Sequence, residues 1–134
     1  MKGIFTISFL LITALGFCQE AVFSPKYPVA KFPKVQEGKM VNYVFEFTNT
    51  GVIPLEFYSY EVECICTVVT LPDEPIAPGQ QGRIEVSFDT NGKYYFQDRI
   101  INLVTNTKRK NEKLRLKVYV EPKLVTEPAP ETGN

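Results

Sequence analysis

The feature that most limits the fold is an alternation of apolar and polar residues with a period of two, which recurs in separate segments. Residues 41–48, 83–89 and 113–120 each place apolar side chains at every second position. Successive side chains of a strand point to opposite faces, so this pattern predicts strands with one face in a core. About seven such strands, spaced roughly 8–12 residues apart, predict an all-β, immunoglobulin-like antiparallel β-sandwich.

The alternation also assigns the core and an edge. An edge strand is predicted at residues 29–35, because Pro33 has no N–H to donate and belongs at an edge or a bulge. In residues 61–68, Val62, Cys64, Cys66 and Val68 share an apolar face, which predicts one extended strand. The core positions predicted from the clearest strands are Val41, Phe45, Phe47, Ile84, Val86, Phe88, Ile101, Leu103, Leu116 and Val118.

Both ends of the chain differ from the middle in composition. Lys2 precedes an almost uncharged apolar run over residues 4–16, which is typical of a secretory signal peptide and short for a membrane span. We therefore expect a signal peptide at 1–18, one domain at 19–122 and a disordered, proline-rich tail at 123–134. The product would be exported to the periplasm or the cell surface. A lipidated Cys18 is the alternative, and only this form would attach to a membrane.

Composition excludes several functions. The chain has no histidine, so Ser-His-Asp and Cys-His catalytic sets and histidine-containing zinc sites are impossible. Removing Lys2 with the signal peptide leaves 14 of the 15 basic residues against 15 acidic ones, a net charge of −1. Such a charge gives nucleic-acid binding little electrostatic support. The sequence predicts neither an enzyme nor a cofactor.

Cys64 and Cys66 leave four alternatives open. They can be small buried core residues, a disulfide, a redox pair, or a two-coordinate copper(I) site. An extended strand separates residues two apart by about 6.5–7 Å between Cα atoms and keeps their side chains parallel, which opposes a disulfide. A turn would bring the sulfurs together, but β-branched Ile65 resists one. Geometry favours buried thiols, and no metal site is assigned.

Aromatic and acidic residues supply the remaining candidates. Residues 94–96 are Tyr-Tyr-Phe, which predicts an aromatic strand start in the core, with a ligand-stacking platform as the alternative. Outward tyrosines form a plausible protein-contact surface, and the acidic side chains are expected to be solvated rather than catalytic. The tyrosines are Tyr58, Tyr60 and Tyr119, and the carboxylates are Glu61, Glu63, Asp73 and Glu74.

Several ordered motifs carry a family resemblance. The segment Phe45–Leu55 reads FEFTNTGVIPL, and it is followed by Cys64-x-Cys66-Thr67, by PIAPG at 75–79, and by the strand 84–90 with Gly92-Lys93. Over residues 30–120 the chain resembles the bacterial domain-of-unknown-function family 1573. The resemblance implies an exported immunoglobulin-type sandwich and no known activity. Relatives usually carry glycine between the cysteines, where this chain has Ile65.

Two functional hypotheses follow. The first is a non-enzymatic interaction module that offers a sheet face or an edge strand to a protein partner, alone or within a larger envelope assembly. The second is a periplasmic thiol-redox or copper(I)-binding protein that uses Cys64 and Cys66. The reactivity of the thiols before and after unfolding separates the two.

Overall fold

The computed structural model describes residues 18–124. Within that range no helix is long and apolar enough to cross a membrane. The predicted signal peptide, except for Cys18, lies outside the described residues, and so do residues 125–134 of the predicted tail. The described part contains nine strands: β1 (Phe23–Pro25), β2 (Val29–Lys31), β3 (Val35–Gln36), β4 (Met40–Asn49), β5 (Phe57–Val62), β6 (Thr67–Thr70), β7 (Gln81–Asp89), β8 (Tyr95–Thr105) and β9 (Asn111–Glu121).

The strands form two sheets, which confirms the predicted sandwich. One sheet has the order β1-β4-β7-β6, and the other has the order β2-β9-β8-β5, with β3 also paired to β9. Nine strands replace the predicted seven because β1 was not predicted and the proline-containing edge strand is split into β2 and β3. Both pieces run parallel to β9, so the sandwich is not wholly antiparallel. Pro33 lies in the gap between them, as its missing N–H requires.

The core lies between the sheets and confirms the period-two assignment. All ten predicted core side chains are buried, and Phe88 is fully enclosed. β7 pairs with β4 through nine register pairs, and β8 pairs with β9 through ten, so these four strands hold most of the core. The alternation is clear in these strands because one side faces the other sheet and the opposite side faces water.

The asparagine-glycine turn and the PIAPG segment meet at one buried side chain. Asn49 is fully buried, and its Nδ2 donates hydrogen bonds to the carbonyls of Ile53 (2.8 Å) and Ile76 (2.9 Å). Its Oδ1 accepts from the N–H groups of Gly51 (3.0 Å) and Val22 (3.3 Å). A side chain on Gly51 would lie 2.3 Å from the carbonyl oxygen of Glu20. The motifs that resemble the family therefore hold the fold together rather than form a cleft.

The single strand predicted for the cysteine segment is wrong. β5 ends at Val62, β6 begins at Thr67, and a turn lies between them. The side chains that point inward after the turn are Thr67 and Val69, whereas Val68 is 55% exposed. The turn shifts the alternation by one residue because it moves the chain from one sheet to the other.

Candidate functional site: the disulfide turn

The turn between β5 and β6 carries a disulfide that joins Cys64 to Cys66. Their Cα atoms are 5.1 Å apart, within the usual range for disulfides and shorter than an extended strand allows. The N–H of Thr67 donates to the carbonyl of Cys64 at 3.0 Å and closes the turn. The predicted buried thiols are therefore wrong. Ile65 does not take a positive φ, so this turn does not need the family's glycine.

The disulfide turn lies at the margin of both sheets. β5 is the last strand of one sheet and β6 is the last strand of the other. Both cysteines are partly exposed, and Ile65 between them is 99% exposed. The N–H of Cys66 donates to Cys64 Sγ at 3.2 Å, so a backbone dipole points at one of the two sulfurs. The turn thus presents a partly accessible disulfide beside an apolar side chain.

The bond contributes little to stability on the entropic account. Stabilisation by a disulfide grows with the length of the loop that it closes, and this loop has three residues. The chain-entropy relation gives about 1.6 kcal/mol for such a loop, against about 3 kcal/mol for a loop of fifteen residues. No distant segments are joined, so a structural role accounts poorly for the bond.

A partly buried cation lies near the start of β6. The Arg99 guanidinium lies 5.2 Å from the ring centre of Phe88, and Phe88 is the register partner of Thr67. Arg99 also donates to the side-chain oxygen of Gln97. Its Nε is buried and has no hydrogen-bond partner among the described residues. The strand that leaves Cys66 therefore starts close to an incompletely paired positive charge.

The copper(I) alternative requires free thiols, and here the two sulfurs are bonded to each other. Residues 18–124 contain no group of three or more histidine, cysteine or acidic side chains placed to hold a metal ion. That no metal binds remains a prediction. The acidic candidates Glu61, Glu63, Asp73 and Glu74 are exposed, as predicted.

Candidate functional site: the aromatic patch

An exposed aromatic cluster lies where β8 begins beside the end of β9. Tyr94, Tyr95 and Phe96 are 47%, 61% and 61% exposed, and Tyr119 is 38% exposed. Phe96 and Tyr119 are register partners, and the rings of Tyr95 and Tyr119 meet edge to face at 6.4 Å. These four residues are called the aromatic patch below. The core position predicted for residues 94–96 is wrong, because all three side chains are exposed, although Val120, the register partner of Tyr95, is fully buried.

The backbone at Tyr95, within the aromatic patch, has an unusual conformation. Its φ is 62°, in the left-handed region that bulky L-residues avoid. The carbonyl of Tyr94 accepts a hydrogen bond from Gln97 Nε2 at 2.6 Å. Strained backbone of this kind persists where the surroundings enforce it, and it concentrates at functional sites. The sequence contained no signal for this φ, because a tyrosine does not indicate a left-handed position.

Charged side chains surround the patch. Lys34 Nζ lies 5.5 Å from the ring centre of Tyr119 and 2.9 Å from a carboxylate oxygen of Glu121. The hydrogen bond that Lys34 donates to Glu121 is the largest cause that raises the pKa of Lys34. An apolar, aromatic centre with a charged rim is the composition typical of protein-binding surfaces.

A second charged group lies next along the same sheet face. Arg115 Nη2 contacts Asp98 Oδ2 at 2.5 Å, and Lys117 Nζ lies 3.7 Å from the same oxygen. The hydrogen bond from Arg115 is the largest cause that holds the pKa of Asp98 below its ordinary value. Asp98 pairs with Lys117 in the β8–β9 register, so this ion pair extends the rim away from Tyr119 and Phe96.

The tyrosines predicted to form one surface are divided between two places. Tyr119 joins the aromatic patch, whereas Tyr58 and Tyr60 lie on β5. β5 pairs with the far end of β8, where Phe57 lies opposite Thr105. Periodicity could place these tyrosines on strands, but only the sheet order shows which of them are neighbours.

Comparison with known proteins

The chain forms two sheets with mixed edge pairing, and its β5–β6 turn changes sheet. These features define an immunoglobulin-like β-sandwich. The chain belongs to the family described as "Protein of unknown function (DUF1573)", which matches residues 24–120. The resemblance noted in the sequence is thereby confirmed. No curated protein matches the chain.

Solved structures agree on the fold. A protein of unknown function from Porphyromonas gingivalis W83 aligns with a TM-score of 0.66 at 17% identity, over 81% of this chain and 51% of that one. The VesB protease of Vibrio cholerae aligns at 0.55 and 15% identity, over 76% and 32% of the two chains. A PapD-like domain of human CEP192 aligns at 0.52 and 9% identity, over 90% and 97%.

These likenesses establish the fold alone, because all identities are low. The chain spans about half the length of the Porphyromonas protein and about a third of VesB. The protease match therefore concerns an aligned sandwich within a longer chain. The described residues form a domain of unknown function whose structural neighbours include a PapD-like domain.

Proposed function

We propose that this chain is an exported, non-enzymatic immunoglobulin-like module that binds a protein partner through the aromatic patch. The observation that carries the proposal is Tyr95, whose left-handed backbone keeps a large ring exposed beside Tyr119. Holding a bulky residue there costs about 1–2 kcal/mol. That cost is reasonable where the exposed ring has a binding role.

The composition of the patch suits a protein partner. Aromatic rings bury a large apolar area with few rotatable bonds, and their hydroxyl groups reach the wet rim. Lys34, Glu121 and the Asp98 ion pairs supply charges around the rings. Exposed aromatic side chains at the centre of such a surface supply most of the affinity in protein interfaces. The absence of histidine from the sequence supports a binding role over a hydrolytic one.

Export is part of the proposal and has its own test. The apolar run after Lys2 supports a signal peptide, with a mature terminus at or near Gln19. N-terminal mass analysis of the chain purified from bacterial envelopes should find an unmodified terminus there. A diacylated Cys18 would instead attach the domain to a membrane.

A comparative pull-down tests the binding surface. Three forms of the chain are immobilised and exposed to envelope extract: the natural chain, Phe96→Ser/Tyr119→Ser, and Tyr58→Ser as a matched control. Tyr58 is as exposed as Phe96, at 62% against 61%, but it lies on β5 beside the far end of β8. The natural chain and the control should capture the same partner, and the double variant should lose it. Equal capture by all three forms would refute the patch as the binding surface.

A further inference from the structure

We propose that the Cys64–Cys66 disulfide is a thiol–disulfide exchange site that oxidises a protein or peptide dithiol with apolar residues beside its cysteines. This activity goes beyond the proposed binding function and does not depend on the aromatic patch. It is a stoichiometric exchange, so it requires no further catalytic group. The reduced pair is returned to the disulfide by a second disulfide-containing reactant.

The location of the bond favours exchange over a structural role. The ring that it closes contains one intervening residue, so it joins no separate parts of the fold. Both cysteines are partly exposed at the margin of the sandwich. Exchange needs an accessible sulfur and a leaving group that stabilises negative charge.

Cys64 is the leaving group that the turn prepares. The N–H of Cys66 points at Cys64 Sγ from 3.2 Å, and a hydrogen bond to sulfur stabilises a thiolate. The guanidinium of Arg99, over the ring of Phe88, adds positive charge near the start of β6. The exposed carboxylates of Glu61 and Glu63 oppose this effect from the β5 side, but they point into solvent.

The step balances as follows in atoms and electrons. A substrate thiolate attacks Cys66 Sγ, the Cys64–Cys66 bond breaks, and its electron pair leaves on Cys64 Sγ, which takes a proton. The second substrate thiol loses its proton and attacks the substrate sulfur of the mixed disulfide, which releases Cys66. The substrate becomes a disulfide, and the cysteine pair gains two electrons and two protons.

Ile65 indicates the class of substrate. A 99% exposed isoleucine between the two reacting sulfurs exposes apolar surface that a partner's apolar residues would cover. A hydrophilic thiol such as glutathione has no such residues. The preferred substrate is therefore a dithiol in a protein or peptide, with apolar neighbours.

The first test asks whether the folded disulfide is exchangeable. The full chain carrying Cys18→Ser, which removes the exposed third cysteine, is equilibrated in mixtures of reduced and oxidised glutathione. Intact mass should show a reduced fraction that rises with the proportion of reduced glutathione and reverses on reoxidation. Circular dichroism should show an unchanged fold. Reduction that occurs only after unfolding in denaturant would overturn the proposal.

The second test assigns the two sulfurs. In the same background, Cys66→Ala leaves the Cys64 thiol with its backbone donor, and Cys64→Ala is the matched control. The rate of alkylation by iodoacetamide is followed against pH. The Cys64 thiol should become reactive below the ordinary cysteine pKa of about 8.5, and the Cys66 thiol should need a higher pH. The reverse order, or two profiles at the ordinary value, would contradict the proposal.

The third test concerns substrate recognition. Ile65→Ser should slow oxidation of a synthetic two-cysteine peptide with flanking leucines by about fourfold, because a contact of roughly one methylene or more is lost. The same variant should react with dithiothreitol at the natural rate. An equal fall with both reagents would contradict a recognition role for Ile65.

Discussion

Single residues carry two different tasks in this molecule. Asn49 makes four side-chain hydrogen bonds, all to backbone groups of three separate segments. Tyr95 does the opposite, since it adopts an unfavourable backbone conformation and leaves its ring in water. Asn49 stabilises the fold, whereas the backbone conformation and the exposed ring of Tyr95 are locally unfavourable. Such exceptions are expected where a surface is kept for function.

Replacing Asn49 by alanine should lower the free energy of unfolding by about 3–4 kcal/mol, because buried carbonyls and N–H groups lose their partners. Asn42→Ala is the matched control, since Asn42 is exposed and accepts only from Ser87. Asn42→Ala should lower the free energy of unfolding by no more than about 1 kcal/mol. Urea unfolding of both variants measures the difference. Similar losses would show that the Asn49 network does not hold the turns together.

The conformation of Tyr95 can be tested by comparing glycine with alanine. Glycine takes a positive φ freely, so Tyr95→Gly should be more stable than Tyr95→Ala by about 1 kcal/mol. Phe96 is the control, because it lies next along β8 and does not have a positive φ. There the order should reverse, with glycine less stable than alanine by about 0.5–1 kcal/mol. The same order at both positions would refute the left-handed backbone at Tyr95.

Among the elements, the β8–β9 pair is the longest ladder and carries the ion pairs of Asp98. Since the folded pKa of Asp98 is lowered, its contribution to stability is present above the unfolded value and is lost as pH falls through the folded one. Asp98→Asn should therefore melt below the natural chain at neutral pH. The two melting temperatures should converge as pH falls through the folded pKa of Asp98.

The control for Asp98→Asn is Asp73→Asn, which removes one negative charge from an exposed loop. It should change the melting temperature much less at neutral pH. A gap between Asp98→Asn and the natural chain that stays constant down to the acid limit would show that ionisation of Asp98 is not the cause.

The elements also show where sequence patterns stop being informative. In β4, β7 and β9 a single alternation runs from end to end, and every predicted core residue there is buried. In residues 61–70 two strands of different sheets are separated by a short turn that contains no glycine or proline. The β-branched side chain of Ile65 predicted that no turn would form here. The turn nevertheless accepts Ile65, because the φ of this residue is not positive. For the same reason the disulfide was kept only as an alternative to buried thiols.

At the scale of the whole molecule, the sequence was sufficient for the fold class and the core, and insufficient for the surface. Buried positions can be recognised in the sequence from the alternation of apolar and polar residues. The proximity of Tyr95 and Tyr119 depends instead on the register of β8 and β9. The aromatic patch lies near one end of the β8–β9 ladder, and the disulfide turn lies on the β5–β6 side.

Site-specific photocrosslinking in living cells tests the central proposal, that the aromatic patch binds a protein partner. A photoreactive phenylalanine analogue replaces Phe96, and in a control chain it replaces Val44, which is 44% exposed on the outer face of the other sheet. Illumination should link the chain carrying the analogue at position 96 to one defined envelope protein, while the control forms no such adduct. An identical adduct pattern from both positions, or no adduct from position 96, would contradict the account.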